Sequence, residues 1–287
     1  MQANHGTRNT DAKVDRSAVC SWSLLPENPR DLVEKLHSTG IRRVQLALDP
    51  LRESPAIWGE TKNVLQQAGV RIVSGMFGCV GEDYSTLDSI RTTGGIAPDA
   101  TWPRNFQNIQ DSVTIAASLG LKLVSFHAGF VPHDPSLPGF AVMKERLTAV
   151  ADVFASADMV VALETGQETA AELAVLLESI GRPNLAVNFD PANMLLYGKG
   201  DPVQALHLLA HWIRQVHIKD AISSRTAGNW GEEVTVGTGE VNWPAFFAAL
   251  DQMGFTGNFV IEREAGSQRV SDIRLAQDII SHSVPII

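Results

Sequence analysis

The chain has 287 residues, 44% of them hydrophobic and 19% charged, an ordinary globular composition with enough apolar material for one large domain. Its formal net charge of −9 argues against a general affinity for nucleic-acid phosphates or anionic membranes. Cys20 and Cys79 are the 2 cysteines; so few, so far apart, they match neither a disulfide-built secreted scaffold nor a zinc-ligand spacing.

No apolar run approaches the ~18–20 residues of a membrane span. Residues 1–16 are polar throughout and lack the apolar region of a signal peptide. They read as a disordered tail ahead of a cytoplasmic protein.

From Ser17 on, short β-rich runs alternate with helical patterns. A strand is expected at 19–24, a helix at 29–38, a strand at 43–48, a helix at 56–68 and a strand at 71–77. A long loop, 78–102, leads to a helix at 106–119 and a strand at 122–127. Then come a helix at 143–157, a strand at 159–164, a helix at 170–180, a strand at 185–190, a helix at 203–210 and a strand at 213–219. A second long loop, 221–241, precedes a helix at 243–253 and a strand at 258–264. Gly40, Gly69, Gly120, Gly181 and Gly254 follow helical patterns and suit C-caps. Asp201-Pro202 and Asn242-Trp243-Pro244 suit helix starts. Such alternation implies βαβ units around a parallel sheet, and this number of strands closes a barrel. The fold class is therefore α/β, a (β/α)8 TIM barrel spanning 17–287 as a single domain. Both long loops follow strands, on the face where barrel enzymes bind substrate.

Buried parallel strands should read as unbroken Val, Ile and Leu. Here five late strands are apolar until their last residues and then carry ligand-type side chains: His127, Glu164, Asp190, His217 with Lys219 and Asp220, and Glu262 with Glu264. Ionised carboxylates are costly to bury unless paired or metal-bound. A single Glu at a strand end is more often a solvated or ion-paired residue, and His127 alone reads as a core histidine. The joint pattern at one barrel mouth points to metal binding or catalysis by Glu164, Asp190, His217 and Glu262. Period-two alternation adds that Gln215 and Lys219 face inward with His217, that Arg263 faces the helices, and that Glu264 rejoins the inner face. Asp220 then lies outside or in the loop, where it orients a neighbour.

These residues resemble the xylose isomerase-like TIM barrels, which include ketose 3-epimerases, hydroxypyruvate isomerases, inosose dehydratases and endonuclease IV. The matching motifs are FHAG at 126–129, LETG at 163–166, FDPAN at 189–193, VHIKD at 216–220, VGTGEVNW at 236–243 and VIERE at 260–264. Their order and spacing are specific for the superfamily and uninformative about substrate. The resemblance implies one divalent metal held by Glu164, Asp190, His217 and Glu262. The oxygen-rich set favours Mn²⁺ or Mg²⁺ and accommodates Co²⁺ or Zn²⁺. It further implies a small carbohydrate substrate and Glu164 and Glu262 as the acid and base of proton transfer through an enediolate. His127, Asn193, Lys219 and Arg225 are then the substrate-binding residues. Asn193 stands where many members carry a histidine, so the sugar is left open.

The expected activity is that of a sugar isomerase or epimerase. A lyase or dehydratase acting on a keto-sugar or keto-inositol is the alternative, distinguished by an extra acid for the leaving group. Endonuclease IV-like DNA repair stands well behind, because SGMFGC, DPAN and GEEVTVG hold no histidine where a three-metal cluster would need one. A non-catalytic sugar-binding role is set against the intact ligand set. No nucleic-acid or membrane partner is expected, and a homodimer or homotetramer is left open.

Overall fold

The computed structural model describes residues 16–226 and 228–283. Residues 1–15 of the expected tail lie outside them. Arg16 is held: its guanidinium donates to the Phe255 carbonyl at 2.6 Å and lies over the Phe259 ring.

The strands are β1 (Ser17–Cys20), β2 (Arg43–Ala47), β3 (Arg71–Met76), β4 (Leu123–Phe126), β5 (Val160–Glu164), β6 (Leu185–Phe189), β7 (Ile213–Ile218), β8 (Asp220–Ile222), β9 (Glu232–Val234) and β10 (Asn258–Ile261). Eight of them close a parallel barrel in the order β1-β10-β7-β6-β5-β4-β3-β2, while β8 and β9 form a separate antiparallel pair. The chain is a (β/α)8 TIM barrel in one domain. Among the described residues no helix is long and apolar enough to cross a membrane.

Most elements fall where the pattern places them, and the expected glycine C-caps at Gly40, Gly120 and Gly181 are left-handed. Asp201 and Asn242 cap the next helices, accepting from the amides of Gln204 and Ala245. Three expectations change. The first strand ends at Cys20 rather than running over 19–24, because Ser21–Leu24 tightens into a 3₁₀ turn. There the Ser21 hydroxyl accepts from the Ala47 amide at 2.9 Å. The helix expected at 56–68 is broken into Pro55–Trp58 and Thr61–Gln67, the Thr61 hydroxyl taking up the Trp58 carbonyl at the break. The last barrel strand stops at Ile261, so Glu262 and Glu264 stand just beyond it.

The main apolar core fills the space between barrel and helices, with Val44, Phe126, Val187, Val216 and Phe259 facing outward from the strands. Inside the barrel, a small separate cluster gathers Ala18, Cys20 and Val260. Beside it the interior is polar: Gln45, Ser74, Ser125, Asn188, Gln215 and His217 are each 0% exposed.

Both long loops are built into walls. The one over 78–102 contains a helix, Leu87–Thr93, capped by Thr86. Arg146, buried, donates to the Ile96 and Ala97 carbonyls and pairs with Asp99. A Cβ on Gly95 would come within 2.1 Å of the Ala128 backbone, so this loop seats directly on the FHAG segment. The second loop forms the β8–β9 hairpin and wraps Asp220, whose carboxylate accepts from the amides of Ala221, Gly237, Gly239 and Val241 and from the Trp243 indole. That explains VGTGEVNW: a Cβ on Gly239 would sit 2.2 Å from an Asp220 oxygen. Asp220 thus orients its neighbours, as the alternation predicts.

Candidate active site

Glu164 closes β5, while Asp190, Lys219 and Glu262 follow the ends of β6, β7 and β10; His217 is the penultimate residue of β7. One ligand atom from each of Glu164, Asp190, His217 and Glu262 lies within 4.8 Å of the others, all four buried. His217 Nδ1 sits 3.2 Å from Glu164 Oε1, 3.4 Å from Glu262 Oε2 and 3.7 Å from Asp190 Oδ2. An octahedral cation with bonds of ~2.1 Å would hold cis ligands ~3.0 Å apart and trans ligands ~4.2 Å apart. These separations fit that range.

Each of the four candidate ligands is also aimed by its neighbours. Asp190 caps the helix Pro191–Leu196, its Oδ1 accepting from the amides of Ala192 (2.8 Å) and Asn193 (3.0 Å). That leaves Oδ2, buried and without a hydrogen-bond partner, turned to His217 Nδ1, which likewise has none. Two orphaned buried polar atoms facing each other call for a third species between them. Thr165 of the LETG segment holds the Asp190 backbone through its amide and carbonyl. Glu262 Oε1 accepts from the Trp22 indole at 2.7 Å and Oε2 from Lys219 Nζ at 2.9 Å. Asn193 Nδ2 donates to Glu164 Oε1 at 3.1 Å. The residues present therefore fit a divalent metal in number, charge and direction.

The four groups and Lys219 set one another's charge. Burial alone would raise the Glu262 carboxyl, but Lys219 and His217 outweigh it and hold it well below the usual range. Burial would depress His217, yet Glu164 and Glu262 carry it well above its ordinary value. Burial raises Asp190, and the neighbouring Glu262 and Glu164 add to the rise. Lys219 is pulled up, against burial, by Glu262 and Glu264.

Above the ligands opens a cavity of about 500 Å³, within the ~300–1,000 Å³ of small-molecule sites. His127, Asn193 and Lys219 line it, whereas Arg225 does not: it is exposed in the second loop, near Glu240. His127 Nε2 lies 3.7 Å from Glu164 Oε1. The wall also includes Trp22, Glu82, Tyr84, Tyr197, Trp230 and Glu233, none of which the sequence reading singled out. Glu233 ties the hairpin to the end of β10 through Arg263 and the amides of Glu264 and Ala265. Loop length pointed to Glu82, Tyr84, Trp230 and Glu233, whereas nothing in the sequence marked Trp22, in the turn after β1, or Tyr197, at the end of the helix Pro191–Leu196.

Behind His127 lies a further buried acid, Glu168. Burial pushes its carboxyl up to about 7, with His127 and Lys199 opposing. Between an ordinary value of ~4.3 and about 7, the folded protein keeps a proton that the unfolded chain has released. Stability from this group is therefore lost as pH rises through that window. Glu168→Gln removes the penalty: melts should show little change from wild type at pH 4. A gain on the order of 3 kcal/mol should appear at pH 8. Parallel pH profiles of the two proteins would refute the assignment.

Comparison with known proteins gives a consistent picture. A family profile described as xylose isomerase-like TIM barrel matches residues 33–282. The chain is 30% identical to a xylose isomerase domain protein from Planctomyces limnophilus, superposing with a TM-score of 0.81 over 87% of this chain and 91% of that one. It is 27% identical over 179 residues to the inosose dehydratase of Geobacillus kaustophilus, covering 58% of this chain and 46% of that protein. The chain thus spans about half the length of the curated relatives it matches. A D-allulose 3-epimerase from Methylomonas sp. shares the fold, with a TM-score of 0.70 at 17% identity over 95% of this chain and 98% of that one.

Proposed function

This chain belongs to the xylose isomerase-like TIM barrel family, and on that premise we propose that it is a metal-dependent sugar isomerase or epimerase. The observation that carries this reading is the facing pair of orphaned ligand atoms, Asp190 Oδ2 and His217 Nδ1, flanked by Glu164 and Glu262 beneath an open cavity. A divalent cation held by Glu164, Asp190, His217 and Glu262, with Mn²⁺ or Mg²⁺ best suited, would polarise a substrate carbonyl and acidify the adjoining C–H.

The protein's own residues do the rest. Glu164 and Glu262 come from β5 and the end of β10, on either side of β6 and β7. A substrate carbon over the centre then has one carboxylate on each side. One takes the proton and the other returns it, to the opposite face or to the next carbon. Lys219 keeps Glu262 charged and fixed in direction. His127 and Asn193 offer hydrogen bonds to hydroxyls, and Trp22, Tyr197 and Trp230 supply apolar faces for the ring.

A dehydratase is the second reading, favoured by one feature. Glu82, from the loop after β3, lines the cavity beside His127 and accepts from Tyr84 Oη at 3.3 Å. Burial raises its carboxyl. Strands β3 and β4 lie across the barrel from β7 and β10, so this acid faces the Lys219–Glu262 wall. Removal of the α-proton by a glutamate, with protonation of a β-hydroxyl by Glu82, would release water and leave a carbon–carbon double bond conjugated to the carbonyl.

Metal-loaded protein incubated in D₂O with ketopentoses, ketohexoses and keto-inositols tests both readings. Solvent deuterium should enter next to the carbonyl; no exchange in any of these would overturn the proposal. If exchange comes with loss of water, Glu82→Gln should cut elimination by roughly 10²-fold or more while exchange persists.

A further inference from the structure

A TIM barrel normally fills its interior with branched apolar side chains. This one buries amides and hydroxyls there, and their connections run in one continuous path. Ser74 Oγ donates to Gln215 Oε1 at 2.7 Å, and Gln215 Nε2 donates to Asn188 Oδ1 at 3.2 Å. Asn188 Nδ2 donates to Glu164 Oε2 at 3.3 Å and lies 3.0 Å from His217 Nε2. His217 Nε2 is also 2.8 Å from Gln45 Oε1, and Gln45 Nε2 donates to Ser125 Oγ at 2.8 Å. Buried polar groups of this kind cost stability unless satisfied, so six of them wholly enclosed need a reason.

The reason lies at His217 Nε2. An amide NH₂ only donates, an amide oxygen only accepts, and a neutral imidazole carries its proton on one nitrogen. Cys20 Sγ, 3.7 Å from Nε2, can donate or accept and favours neither tautomer, whereas the two amide neighbours favour opposite ones. Gln45 Oε1 favours a proton on Nε2, leaving a bare lone pair on Nδ1 facing the three carboxylates. Asn188 Nδ2 favours a bare Nε2 and a proton on Nδ1. Asn188 cannot turn its oxygen inward, because its nitrogen already serves the Glu164 carboxylate, which only accepts. The choice is left to Gln45.

We infer that Gln45 is a positioning residue that selects the metal-binding tautomer of His217, with Ser125 anchoring the far end of the Gln45 amide. Asn188 provides the opposing bond, and Gln215 and Ser74 keep Asn188 turned toward Glu164. This rests on the metal-site reading above and adds to it a determinant of affinity on the far side of the barrel, β2, that touches no ligand oxygen. Partners of a ligating imidazole of this sort are worth about 10–100-fold in metal affinity.

The test uses Mn²⁺ binding by calorimetry and the visible absorption of the Co²⁺-loaded protein, on the full chain. Gln45→Met keeps the length and removes the acceptor; Mn²⁺ affinity should fall about 10–100-fold and the Co²⁺ bands should shift. Gln45→Glu, which restores an acceptor oxygen, should recover affinity to within a few-fold. Metal-free melting of each variant separates loss of fold from loss of the site. Should Gln45→Met not fold, Ser125→Ala carries the question, since it frees the Gln45 amide to turn and should weaken Mn²⁺ by about threefold or more. Wild type failing to bind Mn²⁺ and Co²⁺ would sink the metal site itself. Wild type binding while Gln45→Met binds equally, with unchanged Co²⁺ bands, would overturn the tautomer role alone.

Discussion

Glu262→Gln lowers turnover by about 10²–10⁴-fold, the scale of general acid–base catalysis, and leaves substrate affinity within about tenfold. The carboxylate is engaged on both oxygens, by the Trp22 indole at 2.7 Å and Lys219 at 2.9 Å. A glutamine has one acceptor to offer two donors. With its oxygen toward Lys219, its NH₂ meets the indole N–H; turned the other way, it meets the ammonium. The variant thus loses the titrating group, and Lys219 loses part of its charge pairing. Glu164→Gln should be as damaging, for Asn193 Nδ2 and Asn188 Nδ2 donate to its two oxygens. Glu264→Gln is the control: it also pairs with Lys219, but its side chain is 54% exposed on the rim, and turnover should change by no more than a few-fold. Metal content is measured on every variant, because a ligand change can also empty the site. Glu262→Gln retaining both its metal and full turnover would dismiss the two-glutamate mechanism.

Millimolar Mn²⁺ raises the melting temperature of the wild type by roughly 5–10 °C. A ligand at 100 times its Kd stabilises the folded state by ~2.7 kcal/mol, and each kcal/mol moves a domain of this size by ~2–4 °C. The cause is the gathering of Glu164, Asp190 and Glu262 around one imidazole, which a dication relieves. Asp190→Ala abolishes the rise but also removes a helix cap, lowering the metal-free melt by about 1 kcal/mol. Asp190→Asn separates the two effects. It keeps an oxygen for the amides of Ala192 and Asn193 while neutralising the ligand oxygen, so the metal-free melt should stay at or above that of wild type and the Mn²⁺ response should vanish. Identical wild-type melts with and without Mn²⁺ would count directly against the site.

The barrel was legible because its causes are local and repeated. Apolar runs recur at parallel-strand length, glycine C-caps follow most helices, and Asp201 and Asn242 announce helix starts. The metal-site candidates were legible for a related reason: a carboxylate or imidazole ending an apolar strand contradicts burial unless something offsets the charge. Period two then placed Gln215 and Lys219 inside and sent Arg263 to the helices, where it pairs with Asp272.

What remained hidden depends on contacts between segments far apart in the chain. Asn193 bonding Glu164, Trp22 bonding Glu262 and Gln45 facing His217 join residues 29, 240 and 172 positions apart. Gln45 and Asn188 were visible as polar letters in apolar strands, yet their partners were not. Arg225 stands away from the cavity wall for the converse reason, since nothing in a long loop holds a residue to a face. Glu82, Tyr84 and Trp230 reach the cavity through loop paths that no period describes. Alternation and capping act over a few residues and can be read along the chain, so they determined the fold and the candidate ligands. The direction of each ligand oxygen, the imidazole nitrogen turned to the centre and the wall above it were decided by side chains meeting across a closed barrel, and only the tertiary structure brings those together.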